Sequence, residues 1–239
     1  MATSPTMRLL RDEMTGFAKS KVMIVLWVVL PLLAIAGYFL FDFLQSVRAE
    51  EAAAGVPDDG PKMSVFVFLS AILSSIAGTV AALMVAVDVV SERQRKVFEL
   101  FVIRPIRREV IIWSKFIAVF LAVSLACVIS MNLAILVDLV RGEPVTWDTM
   151  REMVKGLAQA VAVIALATGG GVAVGVVSRT ILVAVLIVQF GSQNLTVVPM
   201  LPSYLGVAPD SFWVFQGISF ALAGMLVWAA GWSFRRAQF

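Results

Sequence analysis

Six long apolar runs, separated by short polar interruptions, dominate the chain; they cover residues 22–41, 64–87, 116–137, 154–177, 181–198 and 212–234. Each is close to the ~20 residues that an α-helix needs to cross about 30 Å of hydrocarbon. The pattern predicts an all-α membrane protein, a single transmembrane domain over residues 1–239 with six transmembrane helices. Pro31 lies inside the first run, where neighbouring helices can satisfy the freed carbonyl, and it predicts a kink. Ahead of that run, residues 7–21 are amphipathic. Leu9, Leu10, Met14 and Phe17 set an apolar stripe against Arg8, Arg11, Asp12, Glu13, Lys19 and Lys21. This stretch reads either as a helix lying on the membrane surface or as the charged flank of the first span. The run after it is too long for a secretory signal and has no small-residue cleavage site.

The interruptions differ in kind. Gln45 to Met63 is acidic and reads as a solvated loop, and Arg141 to Lys155 as a short loop of mixed charge. Ser178-Arg179-Thr180 predicts a very tight turn. Pro199 to Pro209 is apolar yet carries three prolines, at 199, 202 and 209. It is too apolar for a free loop and too interrupted for a span, so it predicts a broken helical segment on the outer rim, buried within protein.

Charge orients the spans. Arg48, Lys62, Arg141, Arg151 and Lys155 fall on one side; the remaining basic residues of the 19 fall on the other. The excess of Lys and Arg marks the cytoplasmic side, which places both termini there. With 60% hydrophobic and 15% charged residues and a mean hydropathy of +0.94, the chain has no polar stretch long enough for a separate catalytic domain. Soluble domains average about 25% charged residues. The net charge of +3 lies beside membrane spans and is no nucleic-acid signal. There is no His and one Cys, Cys127, which excludes Ser-His and His-metal chemistry and an internal disulfide. No carboxylate pair lies in mid-span, so no catalytic set and no metal site are expected. Asp42, Asp88 and Asp138 sit at span ends, unlike the mid-span ionisable groups of many secondary transporters and channels.

Small residues mark two spans. Ser70, Ala71, Ser74, Ser75, Gly78 and Ala81 line the second, and Gly156, Ala160, Gly169, Gly170, Gly171 and Gly175 the fourth. Both predict close helix contact. The glycines do not read as a phosphate cradle, which needs Gly-Lys-Ser/Thr after a strand. Asn132, Gln189 and Asn194 are polar in mid-span; they are candidates for a substrate path, or hydrogen-bond partners between helices.

The segment 91–109, between the second and third runs, is the long basic passage. Seven of the 19 Lys and Arg residues lie between Arg93 and Lys115. Glu92 with Lys96, and Arg95 with Glu99, are i, i+4 pairs. Val97, Phe98, Leu100, Phe101 and Ile103 supply an apolar face, and Pro105 breaks the helix at Arg104. The segment reads as a short amphipathic helix across the membrane face, or as a loop snorkelling its basic groups to lipid headgroups.

The order Glu92-Arg93, Glu99-Leu100, Pro105-Ile106-Arg107-Arg108-Glu109 and Lys115 resembles the type-2 ABC-transporter permease family. The six spans, the amphipathic start and the proline-broken outer segment resemble it too. Lys96-Val97 and Ser114 depart from the family pattern, where Gly-Thr and Gly are frequent. The resemblance implies the membrane-spanning permease subunit of an ATP-driven transporter, expected to export, in the inner (plasma) membrane. It implies a coupling helix carrying Glu92, Arg93, Arg95, Phe98, Glu99, Pro105 and Arg108, docked on a separate ABC ATPase present in two copies. It further implies an interfacial elbow helix at 7–21 and a second permease chain, identical or similar. The partner ATPase would bind ATP and Mg, with no cofactor on this chain and no enzyme activity of its own. Beside this stand a secondary transporter or channel, and a non-transporting membrane subunit that docks an ATPase. The apolar spans favour an amphipathic or lipid-like cargo.

Overall fold

The computed structural model describes residues 5–53, 64–95, 108–142, 146–202 and 209–236, and among these every regular element is helical. Helix α1 is Pro5–Ala18, α2 Lys21–Ala53, α3 Val65–Gln94, α4 Arg108–Arg141 and α5 Trp147–Val177. Then come α6, Ile181–Ile187, a π-helical turn at Val188–Ser192, the short α7, Gln193–Thr196, a 3-10 turn at Val198–Met200, and α8, Pro209–Arg236. Six helical stretches are long and apolar enough to cross a membrane, α6 and its continuation to Met200 forming the fifth.

The starts follow from local chemistry. Ser20, Ser64, Thr146 and Thr180 each precede a helix and accept from a backbone N–H three residues on, that of Met23, Val67, Thr149 and Val183 respectively, at 3.1–3.4 Å. Such hydroxyls satisfy amides that the first turn leaves without a partner. Ser20 splits the amphipathic start from the first span, so α1 ends at Ala18 rather than continuing to 21.

Helices α2 to α5 are longer than the apolar runs. α2 continues to Ala53, which makes helix of the first half of the expected acidic loop; α5 begins at Trp147, inside the expected loop at Arg141 to Lys155. The cause is composition: Arg48-Ala-Glu-Glu-Ala-Ala53 and Met150-Arg-Glu-Met-Val-Lys155 are good helix formers, and nothing stops the helix where hydrocarbon ends. Likewise α3 reaches Gln94 and α4 starts at Arg108, so both ends of the 91–109 segment belong to spanning helices. Its middle, 96–107, with Phe98, Glu99 and Pro105, lies outside the described residues. Of the expected broken segment after the fifth span, the 3-10 turn is seen and 203–208 lie outside the described residues.

α5 is the centre. Of its most apolar stretch 78% is buried, against 12% for Ile181–Met200. Its glycines are the reason it can be surrounded. A Cβ at Gly171 would stand 2.5 Å from the Ala82 carbonyl oxygen on α3, and one at Gly175 3.1 Å from the Ala86 Cα. At Gly156 it would meet the Phe66 carbonyl oxygen at 2.7 Å. Gly169 faces α8, where a Cβ would lie 3.0 Å from the Ala223 carbonyl oxygen. α3 answers with its own small residues, Ser70, Ser74, Ala77, Gly78 and Ala81, all buried. α2 is peripheral: Met23, Leu26, Leu30, Ala34 and Tyr38 form one buried seam, and Ile24, Val25, Val28 and Leu32 face outward.

Gly171→Val therefore forces α3 and α5 apart and costs about 1–3 kcal/mol, the usual range for overpacking. Gly224→Ala, where an added Cβ meets nothing within 4 Å, is the control. Thermal midpoints of the two variants in detergent check this; equal midpoints would refute the seam.

Candidate functional site

The charged groups collect at the two ends of the helical bundle, with a different arrangement at each. At the end where α3 stops and α4 begins, the Lys115 side chain is 1% exposed and meets three carboxylates. Its Nζ donates to Asp88 Oδ2 at 2.5 Å and to Glu92 Oε1 at 2.8 Å, both on α3, and lies 3.2 Å from Glu13 Oε1 on α1. Asp88 and Glu92 share a face because they are four residues apart on a helix. The α3–α4 pair then brings Lys115 to their level, and α1 reaches the group by packing Leu9 and Phe17 into the core. The stripe of α1 is thus partly a protein contact, with Met14 left outside. Burial pushes the Glu13 carboxyl above its ordinary range, and the Lys115 ammonium pulls it back.

The neighbouring residue does a second job. Arg93 Nη1 donates to the Val176 carbonyl oxygen at 2.8 Å, at the last turn of α5, where carbonyls lack helical partners and the helix dipole is negative. Gln94 Nε2 donates to the Arg179 carbonyl oxygen at 3.4 Å in the turn that follows. Glu92 Oε2 and Arg93 Nη2 remain buried with no hydrogen bond. The last turn of α3 is thus fastened to α1 and α4 on one side and to α5 on the other. At the same end, Arg235 of α8 pairs with Glu109 of α4 at 3.0 Å.

At the opposite end, Tyr38 of α2 donates to buried Asp138 of α4. Arg141 pairs with Asp42 at 2.9 Å and lies 5.1 Å above the Tyr38 ring. Beside them opens a cleft of about 390 Å³, lined by Asp42, Ser64, Asp138, Asp148 and Glu152 among others. Ser64 Oγ donates to Glu152 there at 3.2 Å, and Lys155 pairs with the same carboxylate at 2.7 Å.

The sequence-derived candidates divide accordingly. Glu92 and Arg93 meet in the fastened base of α3; Arg95 lies one residue beyond that helix, exposed. Arg108 opens α4. Asn132, Gln189 and Asn194 are exposed and are not joined to one another. Asn132 and Asn194 donate to carbonyls of their own helices, those of Val128 at 2.7 Å and Phe190 at 3.3 Å. What sequence reasoning missed is the pairing of Lys115. Its signal was present: two acids four apart at one span end and a lysine at the start of the next. Glu13 had no such signal.

A bundle of six helical stretches long and apolar enough to cross a membrane, with charged groups collected at both ends, defines a multi-pass membrane protein. The chain matches the model of a family described as ABC-2 family transporter protein over residues 9–193, well over half its length. It belongs to that family of permeases. No curated protein matches it as a relative.

Lys115→Met leaves three carboxylates without their cation, and loss of one partner of a buried ion pair costs about 3–5 kcal/mol. Lys115→Arg retains most of the stability. The thermal midpoints of the two variants separate them; a neutral Lys115→Met would show that the cluster holds nothing together.

Proposed function

We propose that this chain is the permease subunit of an ATP-driven exporter and that the base of α3 carries motion from a partner ATPase into the spans. Family membership implies an ABC ATPase partner in general terms. The observation that carries the finer reading is the double fastening of α3 immediately before the 96–107 segment. Lys115 binds α3 to α1 and α4, and Arg93 binds it to α5. A force applied to the segment therefore enters several helices at once, as a rigid-body movement requires. Phe98, Glu99 and the Pro105 break are the docking residues in this reading, and Arg95 and Arg108 flank them.

The basic end is the cytoplasmic side of the plasma membrane, and two ATPase copies with a second permease chain complete the unit. ATP and Mg bind to the ATPase. Exposed Gln189 and Asn194 on the barely buried fifth span, with Asn132, line the path or the contact with the second chain. Polar groups in mid-span are costly against lipid, which supports either place. The apolar walls suit an amphipathic cargo.

A mild-detergent pull-down of the tagged chain tests the partner; recovery of a phosphate-loop ATPase with ATP hydrolysis is expected, and a chain recovered alone refutes the reading. Glu99→Ala combined with Phe98→Ala lowers that recovery about tenfold or more. Glu92→Gln leaves recovery intact and lowers transport-linked hydrolysis, because Glu92 acts inside the bundle. The reverse assignment of these two effects would overturn the division of roles. For orientation, a cysteine at Asp59 labels from outside cells and one at Arg95 does not; the opposite labelling inverts the topology.

A further inference from the structure

At the basic end, an apolar slot of about 380 Å³ opens between the α1–α2 corner and α4. Ala18, Met23, Ile24, Trp27, Val28 and Ala122 line it, and the Trp27 indole is the one strong hydrogen-bond donor among their side chains. Ala122 is seven residues past Lys115 on α4, which puts the inner end of the slot about 10 Å deeper in the membrane than the ion cluster. The slot is therefore open to the acyl region while its mouth lies at headgroup depth.

The mouth is basic. Lys19 and Lys21 flank the corner, both exposed, and neither makes an ion pair among the described residues. Arg11 lies two turns before Ala18 on the same face of α1, also exposed. Glu13 is turned inward to Lys115 and does not neutralise them, which leaves Asp12 as the other carboxylate of α1. A slot that takes hydrocarbon, under a collar with a net positive charge, is complementary to a molecule with an apolar tail and an anionic head.

We propose that the slot binds an anionic phospholipid, one acyl chain lying between Trp27 and Ala122 and the phosphate meeting Lys19 and Lys21. The site is independent of the transport reading, since it rests on the slot and its collar alone. By holding the α1–α2 corner, such a lipid adds to the grip that Glu13 already has on Lys115.

The test uses the full chain in phosphatidylcholine vesicles to which either brominated phosphatidylglycerol or brominated phosphatidylcholine is added. Bromine on an acyl chain quenches an indole that it touches, and the difference between the native chain and Trp27→Phe isolates the Trp27 signal. The anionic lipid is expected to quench Trp27 at a mole fraction at least about fivefold lower than the zwitterionic one, the contribution of one basic residue near a membrane surface. Lys19→Gln with Lys21→Gln erases that preference. Ala122→Phe fills the slot, leaves the collar intact and removes the preferential quenching, with helix content unchanged by circular dichroism. Equal quenching by both lipids in the native chain, or a preference that survives either variant, overturns the proposal. Disulfide crosslinking between copies through Ile24→Cys, with no quenching at Trp27, assigns the slot to a second chain and overturns it as well.

Discussion

The contact on which the bundle depends is the approach of α3 and α5 backbone to backbone. Lipid is as apolar as leucine, so helices in a membrane gain little from hiding hydrocarbon and must gain from close packing instead. The missing Cβ atoms at Gly156 and Gly171 allow it, placing α5 against carbonyls of α3 at distances that a side chain would forbid, and Gly175 adds a tight contact with Ala86. With that seam formed, α5 can also receive α8 at Gly169, and the remaining helices arrange themselves around a fixed pair.

The ion cluster depends on this seam. Asp88 and Glu92 are the continuation of α3 beyond Ala86, where Gly175 holds it, and Arg93 reaches the end of α5 for the same reason. A buried ammonium with three carboxylates is an expensive arrangement for stability, since each ion has lost water. It forms only when α1, α3 and α4 stand in one relative position, the one in which Glu13, Asp88 and Glu92 all reach the Lys115 ammonium. The opposite end has a looser version, with Tyr38, Asp42, Asp138 and Arg141 tying α2 to α4.

Much of this was legible in the sequence. The apolar runs gave the six spans, because burial in hydrocarbon is a coarse requirement that composition satisfies directly. The glycines of the fourth run read as packing, and the structure sets Gly156, Gly171 and Gly175 against α3 and Gly169 against α8. The helix ends were not legible: Arg48 to Ala53 and Trp147 to Lys155 are polar, and polarity marks the edge of the membrane rather than the edge of a helix. Partnerships across long separations were the other gap. Glu92 reads as a partner for Lys96 on its own helix, yet it turns to Lys115, and Glu13 reaches the same lysine from 102 residues away. Periodicity describes one helix at a time, so a residue whose role is defined by three helices stays hidden.

α4 is held at two points, by Lys115 near one end and by Asp138 near the other. The helix runs for 34 residues and is continuous between them. The 23 positions that separate the two points correspond to about 35 Å of helix, so a rotation of about 10° around Lys115 displaces the Asp138 end by about 6 Å. Over that length, a small difference in tilt at the ion cluster corresponds to a side-chain-sized difference in position at the far cleft, so the Tyr38–Asp138 contact fixes the angle of α4 far more tightly than a contact near Lys115 could.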